Sequence, residues 1–445
     1  MTRYQLCPFL LLFISIFSAN CKKTNSGNDI PDTPTVTVDA SQATFTTNPM
    51  TGFVHGINST DPGNNLIADL KPSYWRTGTF MGSIYPRISQ LSAKPIIVIS
   101  DLYRYPGDYV ANWQQPFNNT NGWTDIVANV YNQSSTQSST FVYDIWNEPN
   151  TGYCWTGSRQ QFFQTFKLAH DKIRSLPNGQ NALIAGPSVS GIDTSFIHEF
   201  LEYCLVGGIK LDILSWHDFR AGSKIPSLKD DLLQIRNEWV NSSRYAPLQI
   251  KAIHINEMIG ESEQVNPAAI LAYFDALEKG KADAACKACW NETSAADNNC
   301  FKNTLDGLLT QGTYKKRSAW WAYYYYALTT QKRYTTTITD TSVVCFAAVP
   351  SGNSNQLLLT GGYFGNAAMP ASKNINLTIN NVSSLSFIGN RSSAAVTVLK
   401  IPFSGFNELA QPVTLLSQQT TIAGGKVVVT VPDIGLKDAF VIQVE

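Results

Sequence analysis

Between Gly52 and about Thr330 the chain alternates short apolar runs with longer amphipathic stretches, the pattern of βα units around a parallel sheet. The runs predict strands over Gly52–Asn58, Ser73–Gly78, Pro95–Ser100, Phe141–Trp146, Ala182–Gly186, Leu211–His217, Ile250–Glu257 and Ala282–Trp290, each followed by a helical stretch. Eight such units match a (β/α)8 TIM barrel. No glycine-rich phosphate fingerprint follows the first run, which argues against an open dinucleotide-binding sheet. After an aromatic helix around Lys315–Leu328 the chain changes to Thr, Val, Ser, Asn and Gly with a period of two. Segments 342–349, 356–361, 375–379, 396–401, 426–431 and 440–444 then predict a C-terminal antiparallel β-sandwich domain. Thr35–Phe45 also has strand character and is expected to pair into that sandwich.

The same pattern assigns residues 1–20 to a leader, 21–34 to a tether, 35–48 to the early strand, 49–332 to the barrel and 333–445 to the sandwich. Arg3 precedes an apolar run, Leu6–Phe17, that is too short to span a bilayer comfortably, so the leader reads as a signal peptide. It ends in Phe17-Ser18-Ala19-Asn20-Cys21, which resembles a bacterial lipobox with Ser18 where leucine is usual. Cys21 is therefore the expected lipidation site, and polar Lys22–Pro34 the tether from a membrane in the bacterial cell envelope, periplasmic or cell-surface. Export puts Cys154, Cys204, Cys286, Cys289, Cys300 and Cys345 in an oxidising compartment, where some should pair. Cys286 and Cys289 lack the second pair a zinc site wants, and no cluster has ligand spacing, so neither a metal nor another cofactor is expected.

Composition narrows the ligand. Lys plus Arg and Asp plus Glu are both 33, the charged fraction is 15% and the aromatic fraction 11%. No global field draws nucleic acid or an anionic bilayer, whereas a neutral, aromatic-rich surface suits uncharged ligands.

In a barrel of this kind polar residues that end apolar runs face the mouth. Glu148 ends the fourth run, in Phe141-Val-Tyr-Asp-Ile-Trp-Asn-Glu-Pro-Asn150, and Glu257 ends the seventh, in Ile250-Lys-Ala-Ile-His-Ile-Asn-Glu257. Strands four and seven lie across the mouth from each other, so the two carboxylates can share one cleft, as glycoside hydrolysis requires. Glu261, Glu263 and Glu292 are rivals in poorer positions. His217, ending the sixth run, contacts either Glu257 or a sugar hydroxyl, or is structural; His55 and His254 read as barrel residues. Asp101, Tyr103 and Trp155 fall on rim loops.

Trp146-Asn147-Glu148-Pro149 together with a second glutamate at the seventh strand resembles the clan A retaining glycosidases, and most closely glycoside hydrolase family 39, the β-xylosidase and α-L-iduronidase family. Ala185-Gly186-Pro187, Ser215-Trp216-His217 and Asn256-Glu257 extend the likeness, while His217-Asp218-Phe219 departs from the family's frequent His-x-Tyr. The resemblance implies Glu148 as acid/base, Glu257 as nucleophile, Asn147 as a donor to the sugar 2-hydroxyl, Arg76 beneath the nucleophile and Trp290 as the floor of the sugar subsite. It implies double displacement with retention, Glu148 being held protonated by a less polar setting. The rival function is a non-catalytic carbohydrate-binding lipoprotein on the same barrel, which loss of either glutamate would favour; both are present.

Overall fold

The structure is a computed structural model that describes residues 35–44, 48–78, 84–104, 122–136, 140–350 and 352–445. The leader, Cys21, the tether and the Tyr103 side chain lie outside the described residues.

Eight strands close a barrel: β2 (Gly52–Val54), β3 (Tyr74–Thr77), β4 (Lys94–Val98), β5 (Val142–Asp144), β6 (Leu183–Val189), β7 (Ile213–Asp218), β8 (Ala252–Met258) and β9 (Ala284–Lys287). Neighbours are parallel throughout, and β2 pairs with β9 to shut the ring. Each of the eight expected runs overlaps a strand, most of them shorter than the run, while β6 continues three residues past Gly186 to Val189. Side chains alternate across the wall. Val54, Ile96, Val142, Ala185, Ile213 and Cys286 fill the interior, while Phe53, Trp75, Ile97, Tyr143, Ile184, Leu214 and Ile253 point out to the helices. Because both faces are buried, such strands read as continuous apolar runs.

The second unit is one nine-stranded sheet in the order β15-β14-β17-β12-β11-β10-β1-β13-β16. Its members are β1 (Thr35–Thr44), β10 (Arg333–Ile338), β11 (Val343–Ala348), β12 (Leu357–Tyr363), β13 (Ser372–Asn380), β14 (Ser393–Ile401), β15 (Val413–Thr421), β16 (Val427–Gly435) and β17 (Ala439–Val444). It folds over a core of its own that includes Val38, Leu359, Leu377, Val396, Val429 and Ile442, which makes a sandwich. One pairing differs from the antiparallel expectation: β1 lies antiparallel to β10 and parallel to β13. No hairpin ties β1 to either neighbour in sequence, so turn geometry does not dictate its direction. β10 and β15 escaped the sequence reading because β10 is threonine-rich and β15 is largely exposed, without an apolar face.

The sandwich is fixed to the barrel. Val344, Phe346, Leu358 and Val441 join the barrel's outer core with residues of helices Pro267–Lys279 and Ser318–Leu328. Phe274 stacks on Tyr326 at 3.9 Å, and Arg333 grips Glu278 at 2.7 and 3.0 Å.

Candidate active site

Alternation along the strands puts Arg76, Asp144, Ser215, His217 and Asn256 inside the barrel above its apolar interior. Two local irregularities then aim the remaining groups. The register of β8 slips against both β7 and β9 around Asn256 and Glu257, a bulge that lets consecutive residues both reach the mouth. Glu148 and Ser188 adopt left-handed backbone, at φ 46° and 52°, and the Glu148 N–H donates to the Ser188 carbonyl at 3.0 Å. Left-handed non-glycine residues cost energy and cluster where a side chain must be held in one direction.

Arg76 is the hub. Its guanidinium donates to Asp144 at 2.8 Å, to Glu257 Oε1 at 2.6 Å and to Asn147 Oδ1 at 2.9 Å. It is buried; burial alone would weaken its charge, but the Asp144 and Glu257 carboxylates outweigh that and raise its pKa further. Asp144 in turn accepts from Ser188 Oγ at 2.7 Å and Asn256 Nδ2 at 2.9 Å, and Ser188 meets Ser215 at 2.7 Å. A buried carboxylate with that many donors is anchored, and through it Arg76.

His217 sits between the two glutamates. Its Nδ1 lies 2.9 Å from Glu148 Oε1 and 3.9 Å from Glu257 Oε2. The near oxygens are therefore no farther apart than those two distances laid end to end, at the short edge of the roughly 6.5–9.5 Å that inverting enzymes use. Both carboxylates remain partly open to solvent, at 19% of the side chain, whereas His217 is fully buried. Glu148 departs from the expectation of a carboxyl kept protonated. Burial pushes it up, but the hydrogen bond and charge of His217, with Ser190 and the charge of Arg76, prevail and hold it below the usual value.

Asn147 presents its oxygen to Arg76 and its amide nitrogen toward Cys154 Sγ at 3.7 Å. Trp290 lies in the loop beyond β9 and not at the strand end, its Nε1 donating to the Ile259 carbonyl at 2.8 Å. Phe219 packs edge-on against Trp290 at 5.0 Å and against His217 at 5.7 Å, so the departure from His-x-Tyr places an apolar ring between them. His55 contacts Thr77 at 2.9 Å and lies 3.9 Å from Asp101 at the rim; burial and the charge of Arg76 pull its pKa down to about 4.

The other candidates have different partners. Glu263 is buried against Gly222 N and Asn266, Glu292 pairs with Arg317, and Glu261 is exposed in a short 3-10 turn. His254 faces Tyr74 inside the barrel, and Trp155 is buried in the outer core. Among the described residues no group of His, Cys, Asp or Glu is arranged to hold a metal ion; Cys286 is a buried interior thiol, and Cys289 pairs with Cys300.

Sequence reasoning missed Asp144, Ser188 and the buried pair Lys287 and Asp306. The Lys287 ammonium donates to the Asp306 carbonyl at 2.5 Å, and burial draws it down to about 8 against the pull of Asp306. Asp144 left one signal: a charged residue two positions from Val142, on the inward side of an apolar strand.

Residues 109–244 match the family model for glycosyl hydrolases family 39. A β-xylosidase of Geobacillus stearothermophilus is 23% identical over 48% of this chain and 47% of its own length, so the match spans about half of that relative. Among solved structures, a protein of Neocallimastix frontalis has a TM-score of 0.73 at 19% identity, covering 93% of this chain and 99% of its own. A family 39 enzyme of Xanthomonas axonopodis pv. citri (TM-score 0.65, 12% identity, 95% and 99% covered) and a monomeric β-xylosidase of Caulobacter crescentus (0.65, 12%, 92% and 99%) share the fold. Motif, barrel and the match over residues 109–244 agree, and the chain is similar to the glycosyl hydrolases of family 39.

Proposed function

We propose that the protein is a retaining glycoside hydrolase that cleaves O-glycosidic bonds of a glycan or oligosaccharide, xylosidase-like in substrate class, by double displacement. The observation that carries this reading is the single buried imidazole within reach of two carboxylates, one of them held by Arg76. Glu257 attacks the anomeric carbon while Glu148 gives its proton to the departing oxygen; in the second step Glu148 takes a proton from water, which displaces Glu257.

The lowered pKa of Glu148 changes how the acid step is supplied. When the Glu148–His217 pair is protonated, its proton lies between Oε1 and Nδ1, where the leaving oxygen can draw it from Glu148. Asn147, braced by Arg76, contributes to the sugar 2-hydroxyl contact, and Trp290 offers an apolar face to the sugar ring. Two measurements test the assignment. Glu148→Ala should retain far more activity on activated aryl glycosides than on natural linkages, with azide giving a glycosyl azide of retained configuration. An inverted first product of the wild type by NMR would refute the mechanism.

The protein is further proposed to be a lipoprotein of the bacterial cell envelope, acylated at Cys21; the lipobox-like string supports this. Cys21→Ser should move the protein to the soluble fraction, and continued detergent dependence would refute it.

A further inference from the structure

The loop from Cys289 to Cys300 has little regular structure, only the short 3-10 turns Ala295–Asp297 and Asn299–Phe301, and its middle is exposed. Trp290 is the first residue after its opening cysteine. The two cysteines form a disulfide with a Cα–Cα distance of 5.1 Å. Beside it, the Asn299 N–H donates to the Trp290 carbonyl at 3.0 Å. Asn299 is buried, and its side chain bonds Gln264 at 3.3 Å and Thr304 at 2.8 Å; Gln264 Nε2 then donates to the Asn291 carbonyl at 2.9 Å. Among the described residues the indole donates to the Ile259 carbonyl and packs against Phe219. The Trp290 carbonyl is thus held by Asn299, the residue beside the closing cysteine, while Gln264 reaches the next residue from outside the loop. The half-buried state of both cysteines leaves the bond open to a small reductant.

We propose that the Cys289–Cys300 disulfide is a positioning device for Trp290, holding the indole against the barrel mouth so that the oxidised protein binds its sugar more tightly than the reduced one. This rests on the glycosidase reading only where binding is concerned. Dithiothreitol would break the S–S bond to give two thiols while becoming its own cyclic disulfide, and the loop would lose its closure. Cys204, Cys286 and Cys345 are buried thiols that the reagent leaves unchanged.

The first measurement needs no substrate: oxidation of Trp290 by N-bromosuccinimide, followed by peptide mass spectrometry. It should be about threefold or more faster in reduced wild type and in the Cys289→Ser/Cys300→Ser variant, since a released ring is more accessible. The second is kinetic. Opening the disulfide should raise KM about 5- to 10-fold and change kcat less than about 2-fold, the effect expected when one aromatic ring no longer backs the sugar. In a Trp290→Ala background the same cysteine changes should leave KM where Trp290→Ala put it. Unchanged Trp290 oxidation overturns the proposal, as does a KM increase that persists without Trp290. Faster oxidation in a protein that hydrolyses no glycoside overturns the glycosidase reading alone.

Discussion

The sandwich and the barrel mouth treat the same strand rule in opposite ways. In β13, β14 and β16 buried residues alternate with half-buried or exposed ones almost without interruption, and the buried set, including Leu377, Val396 and Val429, forms one apolar core. At the mouth the rule is broken around the two carboxylates: by the slip at Asn256 and Glu257, and by left-handed backbone at Glu148 and Ser188. Polar atoms there are also left short. His217 Nε2, Asn256 Oδ1 and Asp306 Oδ1 are buried without a hydrogen bond to the described residues. Such groups cost stability and are retained where a site needs them. One region is built for stability, and the other draws on it.

The sharpest way to break this contrast is to remove chemistry and leave fold. Glu257→Ala should cut turnover of every glycoside by at least about 10⁴-fold, the scale seen when a covalent nucleophile is deleted. Its thermal midpoint should stay within a few degrees, because Glu257 is partly exposed and Asp144 still holds Arg76. A variant that unfolds would show that the mouth carries stability after all. Asp144→Ala should do the reverse of a clean separation, since it removes the fully buried partner of Arg76 and leaves its charge to the partly exposed Glu257. Breaking a buried pair costs about 3–5 kcal/mol, read as a lower urea midpoint, and the loose Arg76 should also depress kcat.

These two residues mark how far the sequence could be read. The TIM barrel was legible because continuous apolar runs recur at the spacing of βα units, and Glu148 and Glu257 because each ends such a run. What their neighbours do was not legible. Asp144 looks like one polar residue in an apolar strand until the closed ring brings Arg76, Ser188 and Asn256 from three other strands onto it. The ionisation of Glu148 failed for the same reason: a less polar setting suggests a raised pKa, and only the fold shows His217 at 2.9 Å. β15 failed differently, through its exposed and polar surface, which gives no period to detect.

A second way to sharpen the contrast uses acid. All five histidines precede residue 333, so this lever acts on the barrel and spares the sandwich. His254 is buried inside it and burial lowers its pKa to about 4 from 6.5. Between those values the unfolded chain holds the extra proton and the folded one does not, so stability rises with pH across the window. The contribution is complete above about pH 6.5 and lost as pH falls toward 4, about 3 kcal/mol in size. Urea midpoints at pH 7 and 4 should show that drop, and His254→Asn should flatten part of the slope, with His55 supplying more. A slope unchanged by His254→Asn would place the acid sensitivity elsewhere.

The smallest effect belongs to the solvent face of the sandwich. β16 is an end strand of the nine-stranded sheet, and Val428 stands opposite Thr378 on its outer side, 59% exposed. Val428→Thr keeps the β-branched shape and the ladder hydrogen bonds while exchanging a methyl for a hydroxyl that water can satisfy. It should therefore change stability by less than about 0.5 kcal/mol and leave kcat and KM alone. Leu377, one position from Thr378 on the same strand but facing the core, supplies the control: Leu377→Ala should cost about 2–5 kcal/mol, again without altering kcat. The comparison turns on the pair. If Val428→Thr proved as costly as a core change, the outer face of β16 would be packed against something in solution, and the sandwich would be doing more than stabilising the barrel.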